Sequence, residues 1–525
     1  MDVLVGNDWG DRTPPGTVAE LLAWAVGRYS ALTAVYDAGS GEGLSFAELG
    51  EAAGAVRDAL AARLPVGARV AVMAPPGAVG LVAHLGIQIG GRVAVLLNPM
   101  AAAAELEEVM RRSRVDALLY VASLRGVDVA AAALAAAAGV PALRFAAELP
   151  AEARAVAAAI GPAGDAAVTP GPAPGDVAQL PFTSGTTSAA RGVLLSHRAV
   201  TLNAWVHTRA MDVRTGDSWL SSLPLFHTAG SVLFNLGVLA AGATQVSLPY
   251  FDPERYLEVM AGRRVTHAGA VPTMLAAMLA RPELPALDFS NLRAILSGGS
   301  LVPADLAERA ERAFGTKILI VYGQTECAPA LTLTLPGDDV EDRRTTVGRA
   351  LPIVEVEIRE GEVCVRTQSI MDGYDGMPEH TAAVLGADGW LRTGDLGELD
   401  ARGYLKITGR CKDIIIRGGE NISPSEIEEV LRSVPGVADA SVLGLADAYW
   451  GEIVAAVLQP AEPGLDGAER TALIEAARAT VQSKLAPHKL PARWDVADVM
   501  PRTALGKVQK FLLRSRFEAA GASSR

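Results

Sequence analysis

The chain has 525 residues, half of them hydrophobic and a fifth charged. That excludes a mainly disordered chain and, at roughly 150 residues per domain, a single small domain. Its 47 Lys and Arg face 59 Asp and Glu, a net charge of -12, so nucleic acid is not an expected partner: phosphate contact needs a basic surface.

The first residues, MDVLVGNDWGDRTPPG, carry acids and no apolar run of signal-peptide length. The longest uncharged stretch, between Arg69 and Arg92, is interrupted by Pro75, Pro76, Gly77, His84 and Gln88. It reads as strand, loop and helix rather than a membrane span, and the chain is expected to be cytoplasmic. RVAVMA, VAVLLN and DALLYV are short, flat apolar runs suited to strands buried on both faces. Helix-length segments such as AAAAELEEVMRR alternate with them, which predicts a layered, mostly parallel α/β body. Ala131 to Ala138 is nearly pure Ala and Leu and reads as a packed helix. Residues 161–176 are the clearest loop, rich in Pro and Gly. Cys327, Cys364 and Cys411 have no paired spacing, so neither a disulfide framework nor a thiolate metal site is expected.

Short alternating segments (VEVEIRE, GEVCVRT, GYLKI) predict a β-rich subdomain before Gly409. Beyond it, Ser423-Pro424-Ser425-Glu426 reads as a capping box opening the helix EIEEVLRSV. Two strand-like runs and the helix AERTALIEAARATVQSKL complete a small α+β domain. The expected division is a large domain over residues 1–409 and a small, mobile one over 410–525.

LPFTSGTTSAARGVLLSH (Leu180 to His197) encloses a Ser/Thr/Gly loop that suits phosphate oxygens, although such a loop is more often a solvated turn. Further segments follow in fixed order: LPLFHTAG from Leu223, SGG from Ser297, YGQTE from Tyr322, GWLRTGDLG from Gly389, GRCKDIIIRGGEN from Gly409 and PRTALGKVQK from Pro501. In combination these resemble the adenylate-forming superfamily of acyl-CoA synthetases, peptide-synthetase adenylation domains and beetle luciferases, from about residue 20 to about 515.

The resemblance implies a nucleotide site made of Thr183, Ser184, Gly185, Thr186, Thr187, Arg191, Gly298, Gly299, Tyr322, Gly323, Asp395 and Arg410. Tyr322 would stack on adenine, the glycines would let the ring approach, and Asp395 would accept from the ribose hydroxyls. It makes Lys507, His227, Thr325 and Glu326 catalytic, with Glu326 holding Mg²⁺. His227, Ser231, Val271, Pro272, Ser300 and Gln324 would line the acyl pocket, Arg417, Gly418, Gly419 and Asn421 the CoA tunnel, and Lys412 would mark the hinge. Singly, most have bland readings: a strand-end aromatic for Tyr322, a helix-start acid for Glu326, a core histidine for His227. The implied reaction joins a carboxylic acid to ATP as an acyl-adenylate, then passes the acyl group to CoA as the small domain turns about its hinge.

Amino-acid-activating members of the resembled family place an Asp after the Phe of the Leu223 to Gly230 segment. Here His227 follows Phe226, and Thr228 to Gly237 contains no acid to balance a buried ammonium, so an α-amino acid is disfavoured. The uncharged pocket walls implied above lead to an apolar or aromatic acid as the expectation. The phosphate loop departs from the family pattern, with Ser188 for Gly, Ala190 for Pro and Arg191 for Lys. Arg presents a planar fork where Lys presents a compact charge. Three alternatives follow: a member that only thioesterifies an adenylate made by a separate adenylating enzyme, a stand-alone enzyme loading a carrier protein, and a non-catalytic binding relative. Retention of Lys507 favours the two-step ligase over the first of these, and the presence of Lys507, Glu326 and Asp395 together counts against the last.

Overall fold

In the computed structural model the described residues are 14–163, 171–183, 191–447, 449–503 and 506–522. They form two compact units. The larger takes in the chain before residue 184, Ala190–Glu355 and Arg366–Leu391; the smaller takes in Val356–Val365 and the chain from Arg392.

Among the described residues the larger unit contains two large sheets, besides the two-stranded pair Ser123–Leu124 and Val127–Asp128. In the seven-stranded sheet, Arg69–Met73 lies between Val93–Leu96 and Ala117–Val121, all parallel. These are the three apolar runs read as strands, and they are almost wholly buried. Ala103–Arg112 and Val129–Ala138 are helices, as their composition indicates. Of the Pro/Gly stretch, residues 164–170 lie outside the described residues. The nine-stranded sheet carries four neighbouring parallel strands: Ser218–Ser221, His267–Gly269, Ala294–Gly298 and Lys317–Gly323. Their carboxyl ends therefore lie along one edge, where open α/β sheets bind ligands.

The smaller unit opens with a four-stranded sheet ordered Val354–Arg359, Glu362–Thr367, Leu391–Leu399, Leu405–Arg410. A second, five-stranded sheet is centred on Val437–Asp447 and Gly451–Pro460. Side chains alternate across these two strands. Val442, Val454, Ala456 and Leu458 pack with Ile427, Leu431, Leu473 and Val481 from two helices. Leu443, Leu445, Ala455 and Val457 face Leu513 and Phe517 of the last helix. Burial on both faces explains why the sequence shows continuous apolar runs there.

One local expectation is corrected. Pro424 does open the helix Pro424–Arg432, but Ser423 makes no side-chain cap. Its Oγ donates to Thr408 O (2.8 Å), and Glu426 is taken by Lys489 Nζ at 2.7 Å. Tertiary partners have claimed both halves of the box.

Four histidines of the larger unit, His84, His197, His207 and His267, are buried, and burial holds each imidazole down to about 4. Their ordinary value is about 6.5, so the unfolded chain binds protons that the native state refuses between those limits. Stability is full above roughly pH 6.5 and is lost as pH falls toward 4. Thermal melts should show a lower Tm at pH 5 than at pH 7.5, and an unchanged Tm would refute this reading.

Candidate active site

The carboxyl ends of the four parallel strands carry the segments singled out by sequence. After Ser218–Ser221 comes Leu223–Gly230 with the half-buried His227; after His267–Gly269 come the buried Val271 and Pro272. Gly298 ends its strand, followed by Gly299 and an exposed Ser300. Tyr322 and Gly323 end theirs, and Gln324 leads into the 3-10 turn Thr325–Cys327. Parallel register thus brings together His227, Val271, Gly298, Gly299, Ser300, Tyr322, Gly323, Gln324, Thr325 and Glu326.

The glycines have a nearer explanation than room for an adenine ring. A Cβ on Gly323 would lie 1.8 Å from Pro329 O, and one on Gly298 would lie 2.3 Å from Val321 O. The chain's own backbone occupies that space. Gly299 instead adopts φ +78, which side-chain-bearing residues rarely do.

His227 precedes a π-helix, Ala229–Leu236, a rare form frequent at functional sites. A buried polar chain supports it. His84 Nε2 meets Gln179 Oε1 at 3.0 Å, Gln179 Nε2 donates to Ser231 Oγ at 3.2 Å, and Ser231 Oγ donates to His227 O at 3.3 Å. Behind the Thr325–Cys327 turn, Asn203 Nδ2 donates to Cys327 O (3.2 Å) and Ala330 O (2.9 Å). It braces a corner where Ala328 is held at φ +61, a strained conformation.

The phosphate-loop segment leaves Val177–Leu180 and returns into Val193–Ser196; Thr183 N donates to Arg191 O at 3.0 Å. Ser184, Gly185, Thr186, Thr187, Ser188 and Ala190 lie outside the described residues. Arg191 lies 5.3 Å from the centroid of the Tyr374 ring, and the Tyr374 hydroxyl donates to Glu326 Oε1 at 2.7 Å. Burial, then the neighbouring Glu326, push this phenol up, with Arg191 opposing them. Sequence reading missed Tyr374, Asn203 and Gln179.

In the smaller unit, Asp395 and Arg410 are cross-strand partners, with Arg410 Nε 3.0 Å from Asp395 Oδ1. Lys412 lies in the turn Cys411–Asp413. Arg417 closes the strand Ile415–Arg417, and Asn421 lies in the facing strand Glu420–Ile422. Between them Gly418 and Gly419 take φ +59 and +88. Arg417 Nη1 donates to His488 O at 2.7 Å, and its guanidinium lies 5.1 Å from the Trp450 ring. Lys507 is half-buried, its N–H donating to Thr503 Oγ1 at 3.2 Å. Among the described residues no group of three or more His, Cys, Asp and Glu side chains converges to hold a metal, and no helix is long and apolar enough to cross a membrane.

The family model for AMP-binding enzymes matches residues 22–375, and that for their C-terminal domain matches 426–507. A methyl-dioxo-octahydroindenyl-propanoyl:CoA ligase of Rhodococcus jostii is 35% identical over 95% of this chain and 98% of its own. An indoleacetate–CoA ligase of Aromatoleum aromaticum is 38% identical over 63% of this chain and 65% of its own. The crystal structure of ATP-bound MatB from Rhodopseudomonas palustris superposes with a TM-score of 0.84 at 29% identity, covering 95% of this chain and 99% of that one. Both sheets, the ordered motifs and these likenesses agree: the chain belongs to the AMP-binding enzyme family, in the acyl-CoA synthetase branch of the adenylate-forming superfamily.

Proposed function

We propose that this acyl-CoA ligase takes an apolar or aromatic carboxylic acid, joins it to AMP from ATP, and transfers the acyl group to the thiol of CoA. The observation that carries this is the shared edge of the four parallel strands, which gathers the acyl-side residues His227 and Val271 with the nucleotide-side residues Tyr322, Thr325 and Glu326. Two relatives are CoA ligases for ring-bearing acids by name, which supports both the acid class and CoA over a carrier protein. They also favour the two-step reading over one confined to preformed adenylates.

In this reading the half-buried His227 stands beside the acid's carboxylate, and Tyr322 covers the adenine. Thr325 offers a hydroxyl to the phosphate or carboxylate oxygens. Asp395, aligned by Arg410, takes the ribose hydroxyls. Lys507 supplies a point positive charge as charge builds between carboxylate and α-phosphate. Arg417, Gly418, Gly419 and Asn421 serve the acceptor thiol, and Lys412 is the pivot between the domains 1–409 and 410–525. Glu326 fits a Mg²⁺ site of the substrate-assisted kind: such an ion usually takes one or two protein carboxylates plus phosphate oxygens. Only Oε1 of Glu326 is engaged by Tyr374. Bound there, Mg²⁺ would neutralise triphosphate charge.

A panel of ring-bearing acids, indoleacetate and ferulate among them, tests the proposal. Each is assayed for ATP–pyrophosphate exchange and, by mass spectrometry, for CoA thioester from ATP or from the synthetic acyl-AMP. Exchange together with thioester from either source is expected. Thioester from acyl-AMP without exchange would replace the two-step reading by the thioesterification-only one.

A further inference from the structure

The phenol of Tyr374 stands between Arg191, which departs from the family pattern, and Glu326, which keeps it, and the backbone around it is tied down from three directions. The strand Gly373–Tyr374 pairs with the return strand of the loop, Val193 opposite Tyr374 and Leu194 opposite Gly373. Asp375 N donates to Gly192 O and Asp372 N to Leu194 O, each at 2.9 Å. Met371 N donates to Glu326 O at 2.8 Å, so the same short segment also holds the backbone of the YGQTE turn. Asp375 is in turn held by Arg69 through two bonds of 2.6 and 2.8 Å, with both side chains largely buried. A side chain on such a support has little freedom, and its hydroxyl has one acceptor, Glu326 Oε1 at 2.7 Å. The ring presents itself to the guanidinium of Arg191, an arrangement that suits a delocalised cation better than a compact ammonium.

We infer that Arg191, Tyr374 and Glu326 form one assembly on the triphosphate side of the site, with Tyr374 as its positioning residue. The hydroxyl fixes the carboxylate of Glu326 so that its other oxygen faces the phosphates, and the ring seats the arginine that stands where the family pattern has lysine. The change at residue 191 is therefore matched by a partner 183 positions along the chain rather than marking a failed site. The inference rests on the reading of Glu326 as the carboxylate for ATP-bound Mg²⁺.

Calorimetric affinities of the full-length protein for MgATP and for AMP separate the possibilities, because AMP lacks the β- and γ-phosphates. Tyr374→Phe keeps the ring and removes only the hydroxyl. It should weaken MgATP about tenfold and leave AMP within about twofold, the size of effect expected for one hydrogen bond to a charged group. Glu326→Gln should weaken MgATP at least as much, and the double variant should bind no worse than Glu326→Gln alone, because the two groups act through one carboxylate. Should the Phe variant not fold, Arg191→Gln takes its place, with the same selective loss of MgATP expected. Equal losses for MgATP and AMP would reduce Tyr374 to a packing residue and overturn the inference, as would full additivity with Glu326→Gln. Unchanged MgATP binding in Tyr374→Phe beside a weakened Glu326→Gln would overturn the inference alone. Wild-type affinity in Glu326→Gln would remove the reading on which it stands.

Discussion

Alanine at Lys507 is expected to slow ATP–pyrophosphate exchange by about 10²- to 10³-fold, the usual loss when one preorganised charge is removed from a developing anion. The loop around it should survive. Lys507 N and O both bond Thr503, at 3.2 and 2.8 Å, and Gly506 N donates to Thr503 O at 2.8 Å. Arg502 Nη1 holds Gly506 O at 2.6 Å. These bonds are made by backbone groups of the lysine and by its neighbours, so the turn they close should persist in the variant. Thioester formation from a synthetic acyl-AMP should persist, since that step needs no contact between this ammonium and a leaving pyrophosphate. Wild-type exchange in the variant would take Lys507 out of adenylation, and loss of both half-reactions would make it a general structural or binding group.

Gly323→Ala should be a strongly damaging single methyl group in the larger unit. Its Cβ would sit 1.8 Å from Pro329 O, which is itself fixed by accepting from Gln324 N at 3.0 Å. Backbone rather than a movable side chain blocks the space, so the strand end or the Thr325–Cys327 turn must shift. Overpacking of this kind costs on the order of 3 kcal/mol, seen as a Tm lower by roughly 3–5 °C for a unit of this size. Tyr322 and Thr325 would move with it, so AMP affinity should drop as well. Gly262→Ala serves as the control, because nothing lies within 4 Å of its added carbon. A Gly323→Ala melt indistinguishable from that control would show the turn to be pliable.

Much of this was readable from residues alone, for a physical reason. Strands buried on both faces must be apolar throughout, so Arg69–Met73, Val93–Leu96 and Ala117–Val121 announce themselves. The site segments at strand ends were legible because turns there demand Gly, Ser and Thr. What escaped depends on partners distant in sequence. Tyr374 reaches Glu326 across 48 positions and Asn203 reaches Cys327 across 124, and nothing local distinguishes either residue from an ordinary strand tyrosine or helix asparagine. The Ser423 cap was misread for the same cause, since a three-residue spacing cannot reveal that Lys489 competes for the acid.

The common rim of Ser218–Ser221, His267–Gly269, Ala294–Gly298 and Lys317–Gly323 has an evolutionary corollary. Each loop springs from its own rigid stem and is encoded far from the others, so recombination can swap one without disturbing its neighbours. On the proposed reading, a change in the acid-facing loop would alter acid preference while the loops assigned to adenosine keep their stems unchanged.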